Sequence, residues 1–575
     1  MAVDQWIVIG IFGLTLLGLI KYQQQAERVF GAAALACFGL NLVSTEQLLF
    51  NAVNPGLLTL VLLVLCSFAL ERTSYLRRVS RLLFTPSHSQ TYFRTLVSTV
   101  FSSAFLNNTA VVATLLSPVK HNKYLAPNRL LLPISYAAIL GGTLTLIGTS
   151  TNLIINSMLI EQGEAGLAFF DFFLVGICAV IVCLGVILLR VKTLTGERVV
   201  KEAVDSYFVE VKVAPDSSLV GKTIADNGLR NLESLFLVEI IRGGRLISPV
   251  SPGQRVMAND KLIFSGDVTK VEMLNHFDGL SLFAQKEGLI TRNLTEVVLK
   301  PGSAVIGKTL KSSGFRSRFD AAVVAIRRDG ERLSGKLGNV VLKAGDFLVL
   351  AVGEDFAKRT NLSKNFFILN GKKLDNMLNG RREKLVLGGF ISAIAFSVLS
   401  GVSLFKCFVF YLALLLASRC LNINEIKRRF PLEIWLVVMS ALTLATAIDN
   451  VGLSQLFALM VEQNLDNTSV YLALIAVYLV TLLLTELITN NAAAALVFPI
   501  AYSVASGLGV SVIPFVMAVA FAASGSFISP YGYQTNLMVY NAGNYKLKDF
   551  VKFGIPVSLT YSLVVLVMIP LVFPF

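Results

Sequence analysis

Long apolar runs alternate with short charged ones along this chain, and at two places an apolar run is broken midway by amides. Uninterrupted apolar segments lie near residues 6–20, 29–44, 56–70, 130–158 and 169–190, and again near 384–402, 404–420, 431–449, 514–540 and 553–573. A helix needs about 20 mostly apolar residues to cross the hydrocarbon core, so these segments predict ten crossings, five per half. Two further segments, about 92–120 and about 469–502, are apolar but interrupted, and they predict re-entrant hairpins. Irregular backbone at membrane depth survives only where it lines a protected cavity.

The interruptions repeat. Phe105-Leu-Asn107-Asn108-Thr109-Ala110 is echoed by Leu487-Ile-Thr489-Asn490-Asn491-Ala492, an offset of 383 from Asn107 to Asn490. Further on, Gly148-Thr149-Ser150-Thr151-Asn152 is echoed by Gly532-Tyr533-Gln534-Thr535-Asn536, an offset of 384 from Asn152 to Asn536. Amides and hydroxyls in apolar sequence are costly unless they bind something, and matched clusters in two halves point to a transporter's central site rather than to interhelical hydrogen bonds alone.

The chemistry such breaks offer is specific. Unwound carbonyls, with Asn, Ser and Thr oxygens, coordinate a hard cation such as Na+, while the next half-helix turns its N–H groups and positive dipole end to an anion. No Lys, Arg, Asp or His lies within the four breaks, and Glu486 alone lies beside one. An anion there must be neutralised by co-bound cations and dipoles, which couples their transport. Glu486 reads either as a proton or cation relay or as a carboxylate capping a neighbouring helix.

Composition agrees with this class. The 575 residues are 54% hydrophobic and 15% charged, with mean hydropathy +0.69, which excludes an ordinary soluble protein. The net charge of +14 is a topology signal rather than a nucleic-acid footprint. The loops near 45–55, 156–168, 449–468 and 501–513 hold no Lys or Arg, whereas Arg72, Arg77, Arg78, Arg81, Arg94, Lys120, Lys427, Arg428 and Lys546 fall in the alternate loops. That split predicts both termini outside and the insert 191–383 in the cytoplasm, with one hairpin opening to each side. Arg77-Arg78-Val-Ser-Arg81 is expected on an amphipathic helix at the anionic inner leaflet. The start of the chain lacks a basic leader and is expected to remain as the first span. The six cysteines show no CxxC spacing and the three histidines fall in polar stretches, so neither disulfides nor a metal centre is expected.

The insert is itself duplicated at an offset of 86. Val220-Gly-Lys222-Thr-Ile224 matches Ile306-Gly-Lys308-Thr-Leu310, and Asp260-Lys-Leu-Ile-Phe264 matches Asp346-Phe-Leu-Val-Leu350. Each copy predicts a small α+β module. The Gly-Lys-Thr turns lack the earlier glycine of a phosphate loop and read as surface turns.

At these residues the chain resembles the divalent anion/sodium symporter family, sodium-coupled sulfate and dicarboxylate carriers of the ion transporter superfamily. That family has a Ser-Asn-Thr motif at each hairpin tip. The matching triplets are Asn107-Asn108-Thr109 and Thr489-Asn490-Asn491, both departing from the pattern. The insert resembles a tandem pair of TrkA-C modules. The resemblance implies a polytopic α-helical membrane protein: a first repeat over 1–190, TrkA-C-like domains over 200–284 and 285–372, and a second repeat over 384–575. It implies one Na+ site at Asn108, Thr109, Gly148, Ser150 and Asn152 and another at Thr489, Asn490, Asn491 and Asn536, with the anion between Asn107-Asn108-Thr109 and Thr489-Asn490-Asn491. It also implies an elevator-type symporter, a homodimer in the inner (plasma) membrane, and a ligand such as a nucleotide on the insert. Sulfate is the first expectation for the anion, with a dicarboxylate carrier and an exchanger of the aspartate:alanine type as alternatives. A ligand-gated channel or sensor is the rival of another class, though no TVGYG-type filter is present.

Overall fold

A computed structural model describes residues 2–22, 25–73, 83–120, 122, 124–194, 208–229, 235–243, 245–266, 280–282, 294–300, 302–328, 331–333, 337–353, 355–356, 359, 361–368, 378, 380–456, 470–543 and 545–575. The stretch Arg77–Arg81, expected to be amphipathic, lies outside the described residues.

The first half contains α1 (Val3–Lys21), α2 (Ala26–Gly39), α3 (Thr45–Ala52), α4 (Pro55–Glu71), α5 (His88–Phe105), α6 (Asn108–Lys120), α7 (Pro127–Gly142), α8 (Ser150–Glu161) and α9 (Phe173–Arg190). The second contains α10 (Arg381–Ser400), α11 (Leu404–Ala417), α12 (Ile423–Arg429), α13 (Leu432–Asn450), α14 (Val470–Leu487), α15 (Asn490–Gly507), α16 (Ile513–Ser524), α17 (Gln534–Ala542) and α18 (Leu547–Val572).

Seven helices among the described residues are long and apolar enough to cross a membrane. Six coincide with expected crossings, and the seventh, α14, is the first arm of the second interrupted segment. The other four expected crossings differ. The segments at 29–44 and 404–420 form 14-residue helices, α2 and α11. The segments at 130–158 and 514–540 are broken helices, α7 with α8 and α16 with α17. Hydropathy hides the first break, because Thr143 to Thr149 is nearly as apolar as a span, whereas the second falls in Gly525 to Tyr533, a stretch rich in Ser, Gly and Pro. The expected loop at 45–55 is largely helical too. Ser44 accepts from the Gln47 N–H at 3.2 Å and the Gln47 side chain accepts from the Ser44 N–H at 3.0 Å, a capping box that starts α3.

Packing follows the repeat. α5 lies on α7 and α14 on α16; α2 lies on α13 and α4 on α11, so each half's short helix rests on a long helix of the other. α7 and α16 are the inner layer, buried along almost their whole length. Close approach there depends on missing side chains: a Cβ on Gly141 would fall 2.8 Å from Val100 Cα.

Between the halves stand two antiparallel sheets. The first uses β1 (Phe208–Val213), β2 (Leu235–Arg242), β3 (Arg245–Ile247), β4 (Lys261–Gly266) and β5 (Leu280–Leu282) in the order β3-β2-β4-β1-β5. The second uses β6 (Leu294–Leu299), β7 (Ala321–Arg328), β8 (Glu331–Arg332), β9 (Phe347–Val352) and β10 (Phe366–Ile368) in the order β10-β6-β9-β7-β8, the same order read from the other edge. The 86-residue repeat extends to details: Arg242 binds buried Asp260 through two hydrogen bonds of 2.9 and 2.8 Å, and Arg328 binds Asp346 through two of 2.8 Å. In the Gly-Lys-Thr turns, Gly221 and Gly307 have positive φ and their N–H groups donate to Val256 and Leu342. Those amides are already spent on pairing, as befits a surface turn.

The modules differ at a buried position in β2. Glu239, at a β-bulge in β2, is 1% exposed with an unpartnered carboxylate oxygen, where the second module has Ala325. Burial pushes its carboxyl from 4.5 up to about 7, with the Ser248 hydroxyl opposing. The folded module therefore holds its proton more tightly than the unfolded one, so stability falls as pH rises from about 4.5 to about 7 and levels off above. Hydrogen exchange of residues 235–242 in the intact protein, corrected for intrinsic rates, is expected to lose protection across that window. Glu239→Gln should flatten the dependence; an unchanged slope in the variant would assign it to another group.

Candidate functional site

Four half-helices begin at the interruptions: α6 at Asn108, α8 at Ser150, α15 at Asn490 and α17 at Gln534. The preceding residues Thr149, Thr489 and Tyr533 are extended, with ψ of 150°, 147° and 136°. Such a residue stops one helical segment and leaves the first N–H groups of the next unsatisfied. At α6 the chain is extended at Leu106, and exposed Asn107 accepts from the Thr109 N–H at 2.9 Å, closing one of those groups.

Side-chain hydrogen bonds join all four N-termini. The hydroxyls of Thr149 and Tyr533 lie 2.8 Å apart. These two residues are separated by 384 positions, the offset of the repeat itself, so equivalent residues meet at the centre. The Asn108 amide is buried against the same tyrosine. Its oxygen accepts from the Tyr533 hydroxyl at 2.9 Å, and its nitrogen points to Ser103 Oγ at 2.5 Å and to the carbonyls of Ala138 and Gly148 at 3.2 Å each. Asn490 also neighbours the Tyr533 hydroxyl. Ser150 donates to Asn491 at 2.8 Å, and Thr109 donates to Gln534 at 3.4 Å. Two glycines make room: a Cβ on Gly142 would sit 2.7 Å from the Asn108 amide oxygen, and one on Gly148 would sit 2.5 Å from the Gly142 carbonyl.

The remaining expected residues serve the breaks themselves. Asn152 donates to the Thr145 carbonyl at 3.0 Å. Asn536 donates to the carbonyls of Ser526 and Ser529 at 2.9 and 3.4 Å and accepts from Ser135 at 2.7 Å. Thr489 is the N-cap residue of α15, and its carbonyl accepts from Ala493. Glu486 does not face the tips. Its carboxylate accepts from the N–H groups of Phe527 and Ile528 at 3.0 Å each, from that of Ser529 at 2.8 Å, and from Ser526 Oγ at 3.2 Å. It stitches the unwound 525–533 segment together, the contacts expected of a capping carboxylate.

Four residues at the centre escaped sequence reasoning: Tyr533, Thr149, Gln534 and Ser103. For the first three the signal was present, since all stand inside the matched motifs. For Ser103, five residues before Asn108 on an ordinary helical face, no pattern marks it.

Among the described residues no group of three His, Cys, Asp or Glu side chains could hold a metal ion. The centre instead offers neutral oxygens from amides, hydroxyls and carbonyls beside four positive helix ends. That donor set suits a weakly held alkali cation and an anion that needs no guanidinium.

Comparison with known proteins places this sequence among transporters. A family profile described as "Citrate transporter" matches residues 6–520. A protein of Synechocystis known as an uncharacterised transporter is 30% identical over 564 residues, 93% of this chain and 91% of its own. Sodium/sulfate cotransporter 1 of Chlamydomonas reinhardtii is 28% identical over 372 residues, 62% of this chain and 42% of its own. The YdaH transporter of Alcanivorax borkumensis, a solved structure, superposes with TM-score 0.46 at 12% identity, covering 99% of this chain and 98% of that one.

Proposed function

The chain belongs to the citrate transporter family of the ion transporter superfamily, and from that premise we propose that it is a secondary symporter coupling a divalent anion, sulfate first, to Na+. It is a multi-pass membrane transporter and not an enzyme. The observation that carries the proposal is the meeting of Thr149 and Tyr533 at 2.8 Å, with the amides of both interrupted segments around them. Residues equivalent by sequence offset touch there, and no Lys or Arg is among the described side chains that meet. Helix ends attract the anion, and Na+ at the neighbouring amide and carbonyl oxygens, around Asn108, Thr109, Gly148, Ser150 and Asn152 and around Thr489, Asn490, Asn491 and Asn536, completes its neutralisation. Neither solute is held well alone, which makes the coupling obligatory.

The finer reading follows the same logic. The two halves form an inverted repeat, the hairpins open to opposite faces, and alternating access moves the hairpin core against the remaining helices. The sheet modules act as TrkA-C-like cytoplasmic domains, and the carrier works as a homodimer with both termini outside. The name of the algal relative supports sulfate and Na+, while the family description supports a carboxylate substrate. Proteoliposomes decide between them. Radiolabelled sulfate uptake is expected to rise with an inward Na+ gradient and to survive excess citrate or succinate. Inhibition by those carboxylates would transfer the assignment to them. Uptake indifferent to the gradient would overturn coupling, with counterflow lacking any cation requirement indicating an exchanger.

A further inference from the structure

Two of the four half-helices that carry the central cluster, α6 and α17, end on the second sheet module. α6 begins at Asn108 and ends at Lys120, whose Nζ lies 3.0 Å from Glu296 Oε2 on β6 and 4.4 Å from the centre of the Phe347 ring on β9. α17 follows Tyr533 and ends at Ala542, with Asn541 donating to the Gly345 carbonyl. Leu537 packs on the same turn: a Cβ on Gly345, where φ is +81°, would fall 2.9 Å from both Leu537 and Asn541.

The module also touches helices outside that pair. Gly302 abuts the Glu433 carboxylate in the first turn of α13, where a Cβ would fall 3.0 Å from Oε1. Just past the module, Leu378 donates to the Arg72 carbonyl at 3.0 Å, at the end of α4. α4 and α13 are the long helices on which α11 and α2 rest.

The strands explain this double attachment. Val297, Leu299, Val323, Leu348 and Leu350 build the module's own core, whereas Val298, Val324, Phe347, Val349 and Ala351 join the buried cluster that runs through the membrane helices. β9 is accordingly buried on both faces. Among the described residues of the first module, Val238 alone joins that cluster.

We propose that the second module is a brake, gripping the far ends of α6 and α17 and tying them to α4 and α13, so that the helices of the site move only when its grip is released. The proposal rests on the alternating-access reading above and deepens it by naming what restrains the moving part. The Lys120–Glu296 pair is the element most open to modulation, since each side chain is partly exposed, 15% and 20%. Any ligand of the module that draws Glu296 away would raise turnover.

The test uses the full-length carrier in proteoliposomes. Glu296→Lys should raise initial uptake about threefold, the scale of one partly exposed ion pair. The exchange Lys120→Glu with Glu296→Lys should return it to the parent rate. A Lys120→Cys, Glu296→Cys pair bridged by a short dithiol-reactive linker should stop uptake, and reductive release should restore it; the single-cysteine variants control for the native thiols. A bridged carrier that turns over at the unbridged rate overturns the brake, as does an unaltered or slower rate in Glu296→Lys. Hydrogen exchange over residues 108–120 and 534–542 separates this proposal from the transport reading, because it needs no solute. Faster exchange in Glu296→Lys without sulfate uptake in any variant sustains the grip and discards the solute assignment; unchanged exchange discards the grip.

Discussion

Asn108→Ala is expected to lower Na+-driven uptake about 100-fold while leaving the protein folded. The amide is buried, and four groups depend on it: the Tyr533 hydroxyl, Ser103 Oγ and the carbonyls of Ala138 and Gly148. Each unpaired buried polar group costs about 1–3 kcal/mol, and water entering the cavity recovers part of the sum, leaving about 2.7 kcal/mol against the bound state, or about 100-fold. Tyr533→Phe keeps the ring and removes one hydroxyl, so its loss should be nearer tenfold, about 1.4 kcal/mol. Because the two side chains share one hydrogen bond, the double variant should lose less than the product of the single losses. Initial rates at saturating Na+, on protein quantified in the liposomes and eluting as a single species beforehand, decide the matter. Multiplicative losses would mean that the two act independently.

Glu486 carries the second large effect, and on stability rather than coupling. Glu486→Ala leaves the N–H groups of Phe527, Ile528 and Ser529 without an acceptor, a loss of about 3–5 kcal/mol. The 525–533 segment has no helical ladder to fall back on, and it sets the position of Tyr533. Glu486→Gln keeps one carbonyl oxygen and loses the charge, so an intermediate drop in thermal stability is expected with uptake reduced in step. A relay would behave otherwise: the glutamine variant would be as stable as the parent and lack turnover. Thermal unfolding in detergent beside uptake in liposomes separates the two outcomes.

The same residue shows where sequence reasoning stops. An acidic side chain beside an apolar break is visible in one dimension, but whether it moves a proton or accepts N–H groups depends on what faces it. Here the partners lie about forty residues further on, from Ser526 to Ser529. Tyr533 and Thr149 teach a related lesson, for both stood inside the repeated motifs, yet a tyrosine matched to a threonine conveys nothing until the two hydroxyls are seen to touch. The capping box at Ser44 shows how a loop drawn from charge alone, 45–55, proves helical once its hydrogen bonds are seen.

Membrane character, the duplicated amide interruptions and the duplicated insert were determined by sequence alone. Each rests on local composition or on self-similarity, and burial of polar groups in apolar runs carries the same cost in any fold. The tertiary structure decided which amide meets which hydroxyl, that Asn152 and Asn536 serve their own breaks, and that the second module lies against the ends of the site's helices. Those outcomes depend on contacts between residues up to several hundred positions apart. The apolar run of β9 hints at burial on both faces, but only packing shows that the far face covers the membrane helices.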